Sequence, residues 1–321
     1  MKAKVTDPMA GGHRVTLPLP VDPPFSFRWA MEYLSSSPST VLENVDPHAG
    51  LQRVLYLHGR HVLLVLRSAS EDVEHPALFV EMHSERKISR AICDAGLHWA
   101  RNTLNLDQNP HDFLELGKRD APIRQLQEQF RGMRPVRLAS PYESLIWAII
   151  GQQIHVAFAR RLKYRFLEHC GDQVQIDGHQ YPVFPEPEQV LRADLQELAA
   201  LQFSRQKSAY IAAVSAAVAD GRLNFEAIST LPQEQAISHL TKFRGIGRWT
   251  AEYVLMRGLG YLDCIPAADI GLRKAAGELY GLGRTASEKE VRDITEPFQG
   301  WRSWVAFYWW MALQQNNQSA K

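Results

Sequence analysis

The residues best placed to do chemistry lie in one run, KFRGIGRWTAEYVLMRGLGYLDCIPAADIGLRK (242–274). Gly245-Ile246-Gly247 ends one helical pattern and opens another, with Ile246 the only side chain in the turn. Two glycines let the backbone approach a ligand and turn successive N–H groups outward, and the helix N-terminus that follows adds partial positive charge. The natural ligand for such a turn is a phosphate, although a plain glycine C-cap has the same local spelling. Asp269 stands 22 residues beyond the second glycine, after Pro266-Ala267-Ala268 and directly before a helical pattern that begins at Ile270. An aspartate there is ordinarily an N-cap, and the helix dipole favours it as an anion, so capping and catalysis are compatible roles. Between Thr241 and Lys274 six basic residues (Lys242, Arg244, Arg248, Arg257, Arg273, Lys274) face three acidic ones (Glu252, Asp263, Asp269). With a formal net charge of only +1 for the whole chain, any nucleic-acid footprint must be local in this way.

The elements that must position these residues fall into two sections. Over residues 14–111, short Val/Leu-rich runs at 14–19, 39–44, 52–57, 61–68 and 76–83 read as strands. Helical spacing at 25–34 and 84–101 adds two helices, which implies an α+β domain with helices on one face of a mainly antiparallel sheet. Over 112–315 the pattern is almost wholly helical, with helices expected near 111–117, 120–131, 140–151, 153–169, 187–199, 204–220, 224–229, 232–240, 248–258, 269–280, 287–296 and 301–315. The stretch 171–187 reads as a loop that splits this section into two lobes with a cleft between them, and the ends, 1–13 and 316–321, read as flexible. The fold class expected is α+β, mainly helical.

At 321 residues with 45% hydrophobic content the chain can bury ordinary cores. No stretch has the roughly 18 uncharged apolar residues of a membrane span, and the first residues lack a secretion signal's apolar core. A cytoplasmic, nucleoid-associated location is expected, with no membrane partner. Cys93, Cys170 and Cys264 are too few and scattered for a disulfide framework or a four-cysteine site, and the 12 histidines show no catalytic-metal spacing.

The run FRGIGRWTAEYVLMRG, followed by IPAAD, resembles the helix-hairpin-helix DNA glycosylase superfamily, with its Gly/Pro-rich loop and aspartate, and within it the bacterial 3-methyladenine DNA glycosylase II (AlkA) type. The similarity extends to SPYESLIWAIIGQQIHVAFARRL (140–162), LQFSRQKSAYI (201–211) and WRSW (301–304), and so covers nearly the whole chain. It implies a two-lobed helical fold with an N-terminal mixed antiparallel sheet domain. The implied activity is monofunctional excision of alkylated purines from double-stranded DNA, by a monomer that needs no cofactor.

The resemblance also assigns roles. Asp269 would stabilise the oxocarbenium-like sugar or orient water, because an anion under C1′ is worth most in a low-dielectric pocket. Trp249, Tyr253 and Trp301 would line the base pocket, whose electron-rich rings suit cationic alkylpurines. Trp304, Phe307, Trp309 and Trp310 read mostly as core. Gln153 would be the wedge that fills the gap left by the flipped base, where the best-known members carry leucine. Gly245, Gly247, Arg244, Arg248 and Lys242 would bind DNA phosphate, and the carbonyls of Thr241, Phe243 and Ile246 would hold a structural Na+ or K+. Bifunctional relatives carry a nucleophilic lysine where this chain has Trp249, so no lyase activity is expected. Cluster-bearing relatives have four cysteines after the aspartate, and here none follows Cys264, so no iron–sulfur cluster is expected. Two alternatives stay open: a non-catalytic DNA-structure-binding protein, and a glycosylase/lyase for oxidised or mismatched bases.

Overall fold

A computed structural model describes residues 13–37, 39–46, 50–194 and 197–319. The N-terminal segment 1–13, expected to be flexible, lies outside these apart from His13, as do residues 320–321 of the tail. The chain runs β1 (Arg14–Leu19), α1 (Phe27–Ser36), β2 (Asn44–Asp46), β3 (Gly50–Leu57), β4 (Arg60–Ser68), β5 (Leu78–His83), α2 (Arg90–Thr103), α3 (His111–Gly117), α4 (Ala121–Gln129), α5 (Pro141–Gly151) and α6 (Val156–Cys170). It continues through β6 (Gln173–Ile176), β7 (His179–Pro182), α7 (Pro187–Arg192), α8 (Arg205–Ala219), α9 (Phe225–Ser229) and α10 (Gln233–Leu240). The last elements are α11 (Arg248–Val254), α12 (Ile270–Leu279), α13 (Glu288–Thr295) and α14 (Arg302–Ser319), with a π turn, Leu255–Leu259, continuing α11. The protein is therefore mainly helical, with a small N-terminal antiparallel sheet of order β1-β5-β4-β3-β2.

Local chemistry sets the helix starts. Ser26, Ser89, Asp120, Ser140, Ser204, Asn224, Asp269 and Ser287 each cap a helix by accepting a backbone N–H three residues on. In β1 and β5 buried and open positions alternate, as one covered face requires. β4 is buried along five consecutive residues, and its two faces pack on different partners. Val62, Leu64 and Leu66 join the main core, while Leu63 and Val65 pack with Val54 of β3 and with Ile176 and Val183.

Three expectations are corrected. Residues 171–187 are not a plain loop: β6 and β7 form a hairpin turned by Asp177 (φ 53°) and Gly178 (φ 80°), and it covers the outer face of the sheet. The strand expected at 39–44 is also displaced, because Ser39–Glu43 are not extended-paired and β2 begins only at Asn44. Thr40 instead turns its hydroxyl onto the carbonyls of Leu34 (2.5 Å) and Ser37 (2.7 Å), closing the end of α1. The helix expected over 187–199 stops at Arg192, with a 3-10 turn at Glu197–Ala199.

One buried apolar cluster runs from Val15 in the sheet to Ala312 in α14, so sheet and helices share a core. A charged network adds a second link. Glu143 of α5, fully buried, accepts from Arg53 of β3 (2.6 Å) and Lys163 of α6 (2.6 Å), while Arg53 also pairs with Glu43 (2.8 Å). Lys163 further donates to the Ser39 carbonyl (2.6 Å). Burial pushes the Glu143 carboxyl up, but Arg53 and Lys163 outweigh it and hold the group below the usual carboxylate range.

Candidate active site

Asp269 caps α12, and its two oxygens are used differently. Oδ1 accepts from the Leu272 N–H (2.9 Å) and from the indole N–H of Trp310 (3.2 Å). Oδ2 has no hydrogen-bond partner among the described residues. One oxygen therefore fixes the carboxylate, and the other is left to meet a substrate. Gly271 is part of this arrangement, since a Cβ there would lie 2.9 Å from Oδ1.

Aromatic rings gather beside the carboxylate. Trp249 and Tyr253, one helical turn apart on α11, stack with centroids 5.7 Å apart, and Tyr253 meets Trp310 at 6.0 Å. The indole N–H of Trp249 is buried with no acceptor among the described residues. Burial pushes the Tyr253 hydroxyl up, keeping it neutral. Of the three rings expected here, Trp249 and Tyr253 are in place and Trp301 is not. Trp301 immediately precedes α14, against Trp304 (5.3 Å) and Phe113 (6.2 Å). Nine residues of helix, about 13 Å, separate it from Trp310, which takes the place expected for it. Trp304, Phe307 and Trp309 are core, as expected. Trp310 is only half-buried, and its indole N–H on Asp269 Oδ1 is the signal that the sequence could not show.

The hairpin forms as read. Gly245 takes φ +95°, and Tyr210 occupies the space a Cβ would need, 2.5 Å away. Gly247 has φ −88° and open space around its Cβ position. Neither conformation nor internal packing demands glycine there, and its bareness leaves the N–H groups at the start of α11 open to approach. Lys242 and Arg244 are exposed, with Arg244 over the Tyr210 ring (6.0 Å). Arg248 is exposed, but its guanidinium is already engaged by Glu234 (2.7 Å) and the buried Glu252 (3.0 Å). Burial raises the Glu252 carboxyl, and Arg292 (3.1 Å) and Arg248 oppose that.

Gln153 sits exposed at the tip of the α5–α6 loop in the left-handed region (φ 57°), a conformation that a non-glycine residue adopts at a cost. Its base is tied down on both sides. Gln152 Nε2 donates to the Gly245 carbonyl (2.8 Å) and to Thr250 Oγ1 (3.1 Å), and Lys207 Nζ donates to the Ile150 carbonyl (2.6 Å). Burial lowers the Lys207 ammonium. Gln152 and Lys207 were missed in the sequence because their partners, two backbone carbonyls and the Thr250 hydroxyl, lie 57 to 98 residues away. Loop tip, hairpin and the start of α8 line one polar concavity of about 450 Å³, which includes Gln153, Thr241, Phe243, Arg244, Ile246 and Gly247.

Comparison with known proteins gives a consistent result. Residues 146–299 match the family described as HhH-GPD superfamily base excision DNA repair protein. A Bacillus subtilis protein named DNA-3-methyladenine glycosylase is 35% identical over 65% of this chain and 69% of its own length. The solved 3-methyladenine DNA-glycosylase from Archaeoglobus fulgidus superposes with a TM-score of 0.78 at 29% identity, covering 93% of this chain and 98% of that one. A Schizosaccharomyces pombe 3-methyladenine DNA glycosylase, solved in complex with abasic DNA, matches with a TM-score of 0.53 at 29% identity over 61% of this chain and 92% of its own. With its hairpin at 245–247 and its capping aspartate inside the matched span, the chain belongs to the HhH-GPD superfamily of base excision DNA repair proteins.

Proposed function

We propose that this protein is a monofunctional DNA glycosylase that flips alkylated purines, such as 3-methyladenine and 7-methylguanine, out of duplex DNA and hydrolyses their N-glycosidic bond. The observation that carries the reading is the Asp269 carboxylate, pinned through Oδ1 with Oδ2 unengaged, beside the Trp249–Tyr253–Trp310 rings. As the C1′–N bond breaks, positive charge grows on the sugar, and a fixed anion in a partly desolvated site stabilises that charge more than it stabilises the ground state. The departing base takes the bonding electron pair, water adds at C1′, and an abasic site remains. The rings hold the extruded base by stacking, at a flipping cost of a few kcal/mol that is smallest for damaged pairs. The unpaired Trp249 N–H supplies a donor to it.

Trp249 stands where a lyase would need an amine, which supports hydrolysis without strand cleavage. Lys242, Arg244 and the Gly247 turn would seat the phosphate backbone, and Gln153 would enter the stack. The relatives' names, and the abasic DNA bound by the fission-yeast protein, favour damaged duplex DNA as partner. The hairpin carbonyls of Thr241, Phe243 and Ile246 fit a monovalent cation: they are neutral oxygen donors of one short turn lining the same concavity, and Phe243 spends only one lone pair, on the Ile246 N–H (3.1 Å). Such an ion would supply charge toward phosphate. We read the protein as a monomer acting at the nucleoid, and no helix among the described residues is long and apolar enough to cross a membrane.

The test is release of free methylpurines from methylated duplex DNA by the wild type, with strand breaks only after hot alkali. Binding without release of any base from a broad lesion panel sinks the proposal in favour of a structural DNA-binding role.

A further inference from the structure

Arg257 lies in the π turn that continues α11, four residues past Tyr253, and only 2% of its surface is exposed. Like Arg134, and unlike Arg53 and Lys163, it has no carboxylate within salt-bridge distance among the described residues, and Glu43 acts on it only from farther off. Arg53 and Lys163 are paired with Glu143, and Arg134 is spread over four backbone carbonyls. Arg257 donates through Nε to the Val136 carbonyl (3.0 Å) and through Nη1 to the Tyr33 hydroxyl, while Nη2 has no acceptor among the described residues. What surrounds the guanidinium is aromatic: the ring centroids of Tyr33, Phe307, Tyr253 and Trp310 lie 5.0, 5.7, 5.9 and 5.9 Å from Cζ. Two of these four rings are the proposed base-pocket rings. Trp310 thus has the guanidinium over its ring and the Asp269 carboxylate on its N–H.

An arginine stays charged even when buried, and an unpaired buried charge is expensive. The widened π turn, a local departure often found at functional sites, places that charge behind the pocket. A ring already attracting one cation offers less to a second, and a cationic base seated against Tyr253 or Trp310 meets a like charge through a medium of low dielectric. A neutral base meets no such opposition. We propose that Arg257 is a specificity-determining positioning residue, whose fixed charge acts through Tyr253 and Trp310 to weaken the pocket's preference for cationic damaged bases and admit neutral ones. The inference rests on the glycosylase reading above and adds a determinant of which bases that site accepts.

The experiment compares single-turnover excision of 7-methylguanine, cationic in DNA, and of hypoxanthine, neutral, from otherwise identical duplexes. The enzymes are the wild type, Arg257→Met and Arg257→Gln. Loss of folded protein scales both rates together and leaves their ratio unchanged, so a structural role alone does not move the readout. The cationic-to-neutral ratio is expected to rise about tenfold in the Met and Gln variants, the worth of one desolvated cation–π contact. An unchanged ratio in Met and Gln, or a wild type that frees 7-methylguanine but not hypoxanthine, overturns the inference. A wild type that frees neither base overturns the glycosylase reading itself, which keeps the two failures apart.

Discussion

Substituting Asp269 separates the capping role from the chemical one, because the structure gives each to a different oxygen. In Asp269→Asn the amide oxygen can replace Oδ1 on the Leu272 N–H and the Trp310 N–H, and Asn caps helices about as well as Asp. The amide nitrogen then stands where Oδ2 was, turning an anionic acceptor into a neutral donor facing the sugar. Asp269→Ala loses both bonds, a cap worth about 1 kcal/mol and a half-buried indole–carboxylate bond worth about as much again. For 321 residues, unfolding entropy of about 2.1 cal/mol/K per residue makes 1 kcal/mol equal to about 1.5 °C of Tm. The Ala variant should therefore melt about 3 °C lower, and the Asn variant within about 1 °C of wild type. Both should lose about 10²–10³ in excision rate, the usual cost of removing one transition-state electrostatic partner, with abasic-DNA affinity nearly intact. Scanning calorimetry and single-turnover release on 7-methylguanine duplexes read the two effects. An Asn variant that keeps excision within tenfold of wild type, or melts as low as Ala, would falsify the division of labour.

Gly271→Ala should leave thermal stability unchanged or slightly raised, since alanine favours the helix. Its Cβ, 2.9 Å from Asp269 Oδ1, should push the carboxylate aside and slow excision at least tenfold; wild-type rates would show that the carboxylate tolerates the shift. Gln152→Ala removes the two bonds that tie the wedge loop to the hairpin. At about 1 kcal/mol each that should lower flipping, followed by 2-aminopurine fluorescence beside the lesion, about five- to thirtyfold, with much smaller effects on binding to abasic DNA. Lys242→Ala and Arg244→Ala should each reduce the salt slope of duplex binding by about one counterion, whereas Arg248→Ala, whose charge is taken up by Glu234 and Glu252, should leave the slope nearly unchanged in a salt titration. The Glu143 carboxyl, held below its unfolded value by Arg53 and Lys163, stabilises the fold fully above about pH 5 and loses that contribution as pH falls through its folded pKa. Glu143→Gln should therefore unfold more easily at pH 7, with a smaller further loss on acidification, as urea midpoints at pH 7 and 3.5 would show.

Much of the site was legible because it is local. Asp269 before Ile270 spells a cap, and Gly245-Ile246-Gly247 spells the turn between two helices. What escaped depends on partners far along the chain. Trp301 immediately precedes α14 and Trp310 lies at its middle, and nothing in WRSWVAFYWW says which of them meets the start of α12. Arg248 reads as a free cation until Glu234, 14 residues earlier, is folded beside it. The β6–β7 hairpin was within reach: Asp177-Gly178 between two short runs is a strong hairpin signal, obscured by the neighbouring prolines. Its need for a partner, and the uninterrupted apolar run of β4, are two sides of one packing that neither segment reveals alone.

The Arg53–Glu143–Lys163 network has a consequence for how such a chain can change over generations. Shedding the N-terminal sheet domain would remove Arg53 together with the Ser39 carbonyl, leaving Glu143 and Lys163 with half their partners in the two helices that flank the wedge loop. Losing one member of a buried ion network costs about 3–5 kcal/mol, comparable to a large share of a domain's net stability. A lineage could discard the sheet only after apolar residues had replaced those charges, so a glutamate at 143 and a lysine at 163 mark a helical region still committed to its sheet.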